Sequence, residues 1–315
     1  MGVLTATSGY SGEVLGAIKR KLSTGNEIME KSLANLIPTI EKQVYIPRFK
    51  AANLLGGYIE SPTTSQGTST FDDKPITPGS FTLYHEFNPR VFEQVWKRYQ
   101  PQGQIVFRNL PPEVQREFFM LIMETTLPTI NQALLTGDDT TPVQTDPLTQ
   151  IDGLETILAN DGDVLDVASP TTLTNGNIVD EIEKLWAATP VAVRRHPDWK
   201  ILVNTTTEDL YQQAIYNNTY KGNDFTSSGP MTYRGKQIVS LVGMSDNKMI
   251  GIVANPTISS NLHIAVDWNR DSLGLGESVI LVDRVSNASV KYFVRADFKM
   301  GINVAFGEEV TGYGL

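Results

Sequence analysis

Residues 41–90 read EKQVYIPRFKAANLLGGYIESPTTSQGTSTFDDKPITPGSFTLYHEFNPR. Both ends of this stretch alternate as strands do. From Gln43 to Phe49, Val44 and Ile46 fall on one side and Tyr45 and Phe49 on the other. Near the far end, Phe81, Leu83, His85 and Phe87 alternate with Thr82, Tyr84 and Glu86. The segment between them is rich in Ser, Thr, Gly and Pro and poor in apolar residues. The pattern predicts a long two-stranded arm with a polar, mobile tip from Ser61 to Gly79. A lone hairpin is marginal in water, and its open edges invite pairing. Such an arm is therefore expected to lie across a partner. The residues alone fit equally well a large surface loop on an ordinary domain.

Upstream, Val14, Leu15, Ile18 and Leu22 share a helical face within Glu13–Leu22. A second helix is predicted over Ile28–Ile37, carrying Met29, Leu33, Leu36 and Ile37 and closed by Pro38. Two helices this short do not hold themselves together in water. Downstream, Asn109-Leu110-Pro111-Pro112-Glu113 is a helix start. The helix it opens places Val114, Phe118, Leu121, Ile122 and Thr125 on one face, with Phe119 and Met123 adding apolar surface elsewhere, so burial on several sides is expected. Pro128 should kink or interrupt it, and Gly137 should end it. Further helices are predicted at about Gly153–Leu158, after an Asn177 cap, and after a cap at Thr206 or Thr207. Trp199–Asn204 reads as a buried strand. From Gln237 onward the segments QIVSLVG, KMIGIVA, LHIAVDW, SVILVDR, VKYFVRADF and GINVAFG read as strands. Helices gathered mid-chain with strands gathered at the end define an α+β class.

Composition narrows the function. The 315 residues, 40% hydrophobic, can build one large or two ordinary domains. The absence of Cys removes disulfides, thiolate zinc sites and cysteine nucleophiles. A net charge of −9 is poorly suited to uniform coating of nucleic acid, since each phosphate contact needs a Lys or Arg, but leaves room for a local basic patch. The N-terminus lacks the basic start and apolar run of a signal peptide, and no apolar run approaches the ~20 residues that cross a bilayer. A soluble protein made in a cytoplasm is expected.

The search for chemistry leaves no site. His85, His196 and His263 are widely separated, and none has a second ligand at metal spacing. Gly274-Leu275-Gly276 lacks the third glycine and following helix of a dinucleotide loop. Asp161-Gly162-Asp163 with Asp166 lacks the later ligands and closing Glu of an EF-hand. Asp138-Asp139 is a possible carboxylate pair but reads as a solvated turn. Lys19-Arg20-Lys21, the tightest basic cluster, reads as a solvated helix face. Asn204 and Asn287 begin glycosylation sequons that carry no meaning without a secretory signal. No catalytic, cofactor-binding or metal residue is therefore assigned, and no cofactor is expected.

The order of these parts resembles that of the major capsid proteins of tailed bacteriophages, whose fold is shared by encapsulin nanocompartments. The resemblance runs from about residue 10 to 310. It rests on ALLTGDD with DGLETIL, on WKILVNTTTEDL, and on YRGKQIVSLVG, KMIGIVANP and VKYFVRADFKMGINVAFGEEV. It implies an N-terminal arm (1–40), an extended hairpin loop (41–90, its strands about Val44 to Phe87), a peripheral domain with a spine helix Pro112–Leu135 (91–190), a mixed axial domain (191–288) and C-terminal strands returning to the peripheral domain (289–315). It also implies the function: a subunit that self-assembles into hexamers and pentamers of an icosahedral head around double-stranded DNA. Portal, scaffolding and decoration proteins would be partners, with no membrane, in a virion assembled in the host cytoplasm. The scaffolding segment that some relatives carry ahead of the arm is not seen. Some relatives cross-link a loop Lys to a neighbour's Asn; Lys50 and Lys74 lie in the loop region, but no acceptor is identified. Two other readings remain: an encapsulin-like shell that packages cargo protein, and a hydrolase with an unrecognised carboxylate site.

Overall fold

The computed structural model describes residues 26–315 apart from 39, 41, 59, 61–66, 89–111, 218–230, 268–279 and 287–290, with backbone alone at 112–118 and 280. The expected helix Glu13–Leu22, the cluster Lys19-Arg20-Lys21, the Gly274–Gly276 turn and Asn287 lie outside the described residues.

Helix α1 (Glu27–Glu30) is a single turn capped by Asn26, whose side chain accepts the Met29 N–H at 2.8 Å. The helix expected over Ile28–Ile37 stops here for a local reason. Ser32 takes the left-handed conformation (φ 53°), and the N–H groups of Ser32 and Leu33 turn back onto the carbonyls of Met29 and Ile28 at 3.0 and 2.9 Å. That pair of bonds is a Schellman closure. The chain then leaves as a strand, β1 (Asn35–Pro38).

Strand β2 (Val44–Ala52) forms where the alternation predicts, but its partner does not. It pairs antiparallel with β3 (Thr68–Ile76), with Phe49 opposite Phe71. The segment ending at Phe87 is a separate strand, β4 (Gly79–Phe87), bonded elsewhere. The mobile tip expected over Ser61–Gly79 thus contains a nine-residue strand. Its polar composition concealed it, because a strand exposed on both faces has no apolar alternation to display, and only its Thr, Phe and Ile residues favour extension.

Helix α2 (Pro112–Thr136) runs 25 residues and is not interrupted at Pro128. Pro128 sits on the exposed side, where water can serve the carbonyl that lacks its helical donor. The Thr125 and Thr126 hydroxyls bond back to the Ile122 carbonyl, both at 2.8 Å. Buried Phe119, Ile122, Met123, Leu127 and Ile130 make one stripe, while Leu121 is 56% exposed and Thr125 is exposed. The face expected from Leu121 and Thr125 is therefore rotated by about one residue. Phe118, by contrast, is described in backbone only. Among the described residues, burial on every side occurs at the C-terminal end, where Ala133, Leu134 and Leu135 are all fully buried.

The remaining elements follow as α3 (Leu154–Asn160), β5 (Leu165–Asp166), α4 (Ile178–Ala188), α5 (Val191–Arg194), β6 (Trp199–Val203), α6 (Thr205–Asn217), β7 (Thr232–Tyr233), β8 (Lys236–Ser240), β9 (Met249–Val253), β10 (Leu262–Asp267), β11 (Ile280–Arg284), β12 (Tyr292–Val304) and β13 (Thr311–Tyr313). Two caps differ from expectation. The Asn177 side chain turns back to accept the Thr174 N–H at 2.7 Å rather than capping α4. Asn204, not Thr206 or Thr207, caps α6 by accepting the Thr206 N–H at 3.1 Å.

The strands form two sheets besides the hairpin. In the first, ordered β1-β10-β12-β11, the 13-residue β12 is central and unites the segments read separately as VKYFVRADF and GINVAFG. β4 pairs with Tyr292–Met300 of β12, while β11 and β10 pair with Tyr292–Ala296 and Lys299–Val304. The second sheet is ordered β5-β13-β9-β6-β8-β7. β10 and β11, grouped by sequence with residues 191–288, therefore hydrogen-bond to β12, whereas β13 leaves that sheet and joins β9.

Alternation sorts the side chains into cores. Tyr292, Val294, Ala296, Phe298, Met300, Ile302 and Val304 of β12 all face one large core with the buried stripe of α2. Leu202, Ile250 and Ile252 enter that core from one face of the second sheet. Trp199, Ile201, Val203, Met249 and Val253 enter a smaller core on its other face, under Ile178, Ile182 and Leu185 of α4. Each such side chain contributes about 1.5–3 kcal/mol on full burial. The class is mixed α+β.

Candidate functional site

The feature that the body of the molecule does not explain is the β2–β3 hairpin. Among the described residues it is a two-stranded sheet with no third strand on either edge. Its register divides it into two unlike faces. Toward the base, the even-numbered positions Val44, Ile46, Arg48, Lys50, Lys74 and Ile76 turn toward the body. Ile46 and Ile76 are buried there with Ile40, Ala265 and Ala305. Beyond them, charge fastens the ladder down. Lys74 is ion-paired with Asp161 and Lys50 with Glu308 at 3.2 Å, while Arg48 pairs with Asp72 across the hairpin itself. Arg48 Nη1 also donates to the Ala305 carbonyl at 3.2 Å, and Asn303 Nδ2 donates to the Pro75 carbonyl at 2.6 Å.

Asp161 is tuned by this arrangement. Partial burial pushes its pKa up, but the hydrogen bond from Lys74, the Asp163 N–H and the nearby charges of Lys74 and Arg48 more than offset it and hold it below the usual aspartate value. Gly307 makes the approach possible: a Cβ there would stand 2.8 Å from Asp161 Oδ2 and 3.0 Å from the Asp163 Cβ.

Odd-numbered positions face out. Tyr45 is 57%, Phe49 52% and Phe71 82% exposed, and the connection carries Leu54, Leu55 and Tyr58, the last two more than nine-tenths exposed. Apolar side chains grouped this way on an arm with unpaired edges mark a contact surface. A second apolar feature lies on the body. A groove of about 760 Å3 runs between β4 and α2, lined among others by Leu83, Tyr84, Leu121, Thr125 and Gln144.

The histidines and acid clusters do not converge on one site. His85 is exposed on β4, and His196 Nδ1 accepts the Asp198 N–H at 3.2 Å. His263 is buried on β10 against Asn35, 3.2 Å away, and burial holds its pKa below the usual histidine value. His196 and His263 do line one hollow of about 440 Å3 with Glu309, but among the described residues no group of three or more His, Asp or Glu could hold a metal ion. Asp138 accepts two bonds from Thr140, while Asp139 neighbours Asp152, so the acid pair read as Asp138-Asp139 is divided. Asp161 and Asp163 form a turn closed by a 3.1 Å bond from the Asp163 N–H, with Lys74 in place of any cation. Asn204 of the first sequon is the α6 cap. Lys50 and Lys74 are both held in ion pairs to the body. Sequence reasoning missed Arg48, Asp161 and Glu308 as the hairpin's anchors. Only the alternation of Arg48 and Lys50 with Phe49 signalled them. No helix among the described residues is long and apolar enough to cross a membrane.

A central long strand, a long helix packed across its sheet, a second mixed sheet and an outstretched hairpin together make the capsid fold of tailed phages. Solved structures establish it. A chain of the satellite phage P4 procapsid including the size determination protein superposes with a TM-score of 0.60 at 12% identity, over 98% of this chain and 93% of that one. A chain of the cyanophage A-1(L) capsid gives 0.59 at 13% identity, over 99% and 96%. The encapsulin complex of Synechococcus elongatus PCC 7942 gives 0.50 at 9%, over 91% and 87%. No family model matches the sequence, and no curated protein matches it.

Proposed function

We propose that this chain is a major capsid protein: a subunit that assembles with copies of itself, as hexamers and pentamers, into an icosahedral phage head around double-stranded DNA, with no catalytic step of its own. The observation that carries this is the hairpin. Its charged face is spent on its own body, and its aromatic face and both edges are left for another molecule. The β4–α2 groove of a neighbouring copy is the receiving surface. Contacts of this kind repeated around a closed shell gain stability through multivalency. Portal and scaffolding proteins complete the expected partners, and assembly takes place in the host cytoplasm. The phage-capsid likenesses, at TM-scores near 0.6, favour this reading over a cargo-holding nanocompartment.

The test is to replace residues 47–73 with an Asn-Gly turn, which keeps the anchored base Val44, Ile46, Lys74 and Ile76. The trimmed chain should remain folded and soluble and yield no closed particles by electron microscopy, where the intact chain does. Particles of normal form from the trimmed chain would overturn the proposal.

A further inference from the structure

On a chain with a net charge of −9, one corner of the second sheet gathers cations that its own acids do not answer. Trp186, half-buried in the last turn of α4, carries the Arg194 guanidinium 5.4 Å and the Arg234 guanidinium 5.6 Å from its ring centroid. Arg194 Nη1 also donates to the Trp186 carbonyl at 3.1 Å, which fixes it at the electronegative end of that helix. Lys236 Nζ donates to the His196 carbonyl at 2.5 Å, which sets its ammonium beside the Arg194-Arg195-His196 turn. Arg195 is exposed.

The local carboxylates are mostly engaged. Glu183 holds Arg234 at 2.9 Å and accepts the Tyr233 hydroxyl. Asp198 accepts from Asn255 at 3.1 Å and lies near Lys200, and Glu309 lies near His196. Among the described residues Arg194, Arg195 and Lys236 form no ion pair with any of them. Guanidinium groups held against an aromatic ring are already ordered, so binding an anion costs them little further side-chain entropy, and their remaining N–H donors match a pair of phosphate oxygens. With a net charge of −9 the chain as a whole does not attract a polyanion, so contact depends on a local basic patch of this kind.

We infer that the corner formed by Arg194 on the Trp186 ring, the adjacent Arg195 and Lys236 at the His196 carbonyl contacts the phosphate backbone of double-stranded DNA. The inference rests on the head-protein reading and gives its packaged DNA a place of contact. The contact carries no base readout, since it presents cations without a groove-reading element.

The experiment measures binding of a short fluorescent duplex of mixed sequence to the full-length subunit between about 50 and 200 mM salt. Each phosphate contact contributes about 0.9 to the slope of log affinity against log salt. Arg195→Gln with Lys236→Gln should therefore flatten the slope by about 1.8. Lys31→Gln, elsewhere on the surface, should leave it unchanged. A wild-type subunit that does not bind the duplex, or an undiminished slope in the double variant, would overturn the inference. So would poly-glutamate binding as tightly as DNA with the same loss, which would assign the corner to acidic protein segments. Electron microscopy of the same proteins separates the two proposals. Closed particles with no salt-slope change sink this inference alone, and duplex binding without particles sinks the head-protein reading alone.

Discussion

The rings of Phe49 and Phe71 meet across the β2–β3 ladder with centroids 4.8 Å apart and planes tilted by 44°, and both are more than half exposed. A pair this open adds little to the fold of one subunit; aromatic pairs are worth about 0.5–1.5 kcal/mol beyond area burial. Changing Phe49→Ser and Phe71→Ser together should lower subunit stability by no more than about that amount and prevent particle formation. Calorimetry of the subunit and particle counts by microscopy check the two halves separately.

Helix α2 supplies a contrast in burial two residues apart. Phe119→Ala should destabilise by about 3–5 kcal/mol, because Phe119 is 1% exposed in the large core. Leu121→Ala should stay within about 0.5 kcal/mol, because Leu121 lies open in the groove. Urea unfolding of both variants tests the single buried stripe; equal losses would mean the helix is covered on both sides in the isolated subunit.

Gly251 faces the indole of Trp199 across the β9–β6 pair, and a Cβ there would lie 2.7 Å from the ring. Trp199 is fully buried and has nowhere to move. Gly251→Ala should therefore cost about 1–3 kcal/mol by overpacking, read from the denaturant midpoint at unchanged slope.

The Lys74–Asp161 pair makes hairpin anchoring acid-sensitive. The Asp161 pKa is depressed in the folded chain, so its contribution is present above the ordinary aspartate value of about 3.9 and is lost as pH falls through the lower folded value. Protection factors at Lys74 and Ile76, exchange taken relative to the intrinsic rate at each pH, should fall in that acid window. In Asp161→Asn, protection there should already be lower at neutral pH and show no further fall on acidification.

What could be read from the sequence was whatever burial had written into it. Val44 and Ile46, the strand read as Trp199–Asn204 and the segments VKYFVRADF and GINVAFG all display a buried face; the first two formed within a residue or so of the reading, and the last two formed as one strand, β12. The α+β class followed from their order. β3 was hidden because both its faces meet solvent or charge, so Thr68–Asp73 looks like turn composition. The Schellman closure at Ser32 was hidden because serine rarely takes positive φ, and nothing nearby required it to. The anchor was hidden for another reason: Lys50 finds Glu308, Lys74 finds Asp161 and Arg48 finds the Ala305 carbonyl only after the chain has folded back on itself. Local spacing carries no trace of such distant pairings.

The way the strands interleave also sets a timetable. β4 and β10 have no common neighbour until β12 lies between them, and the hairpin base rests on Ala305 and Glu308. A growing chain therefore has Ile40, Ala265 and the Lys74–Asp161 pair to hold the hairpin base before it has Ala305 and Glu308, and the last of the supports arrive only with the final residues.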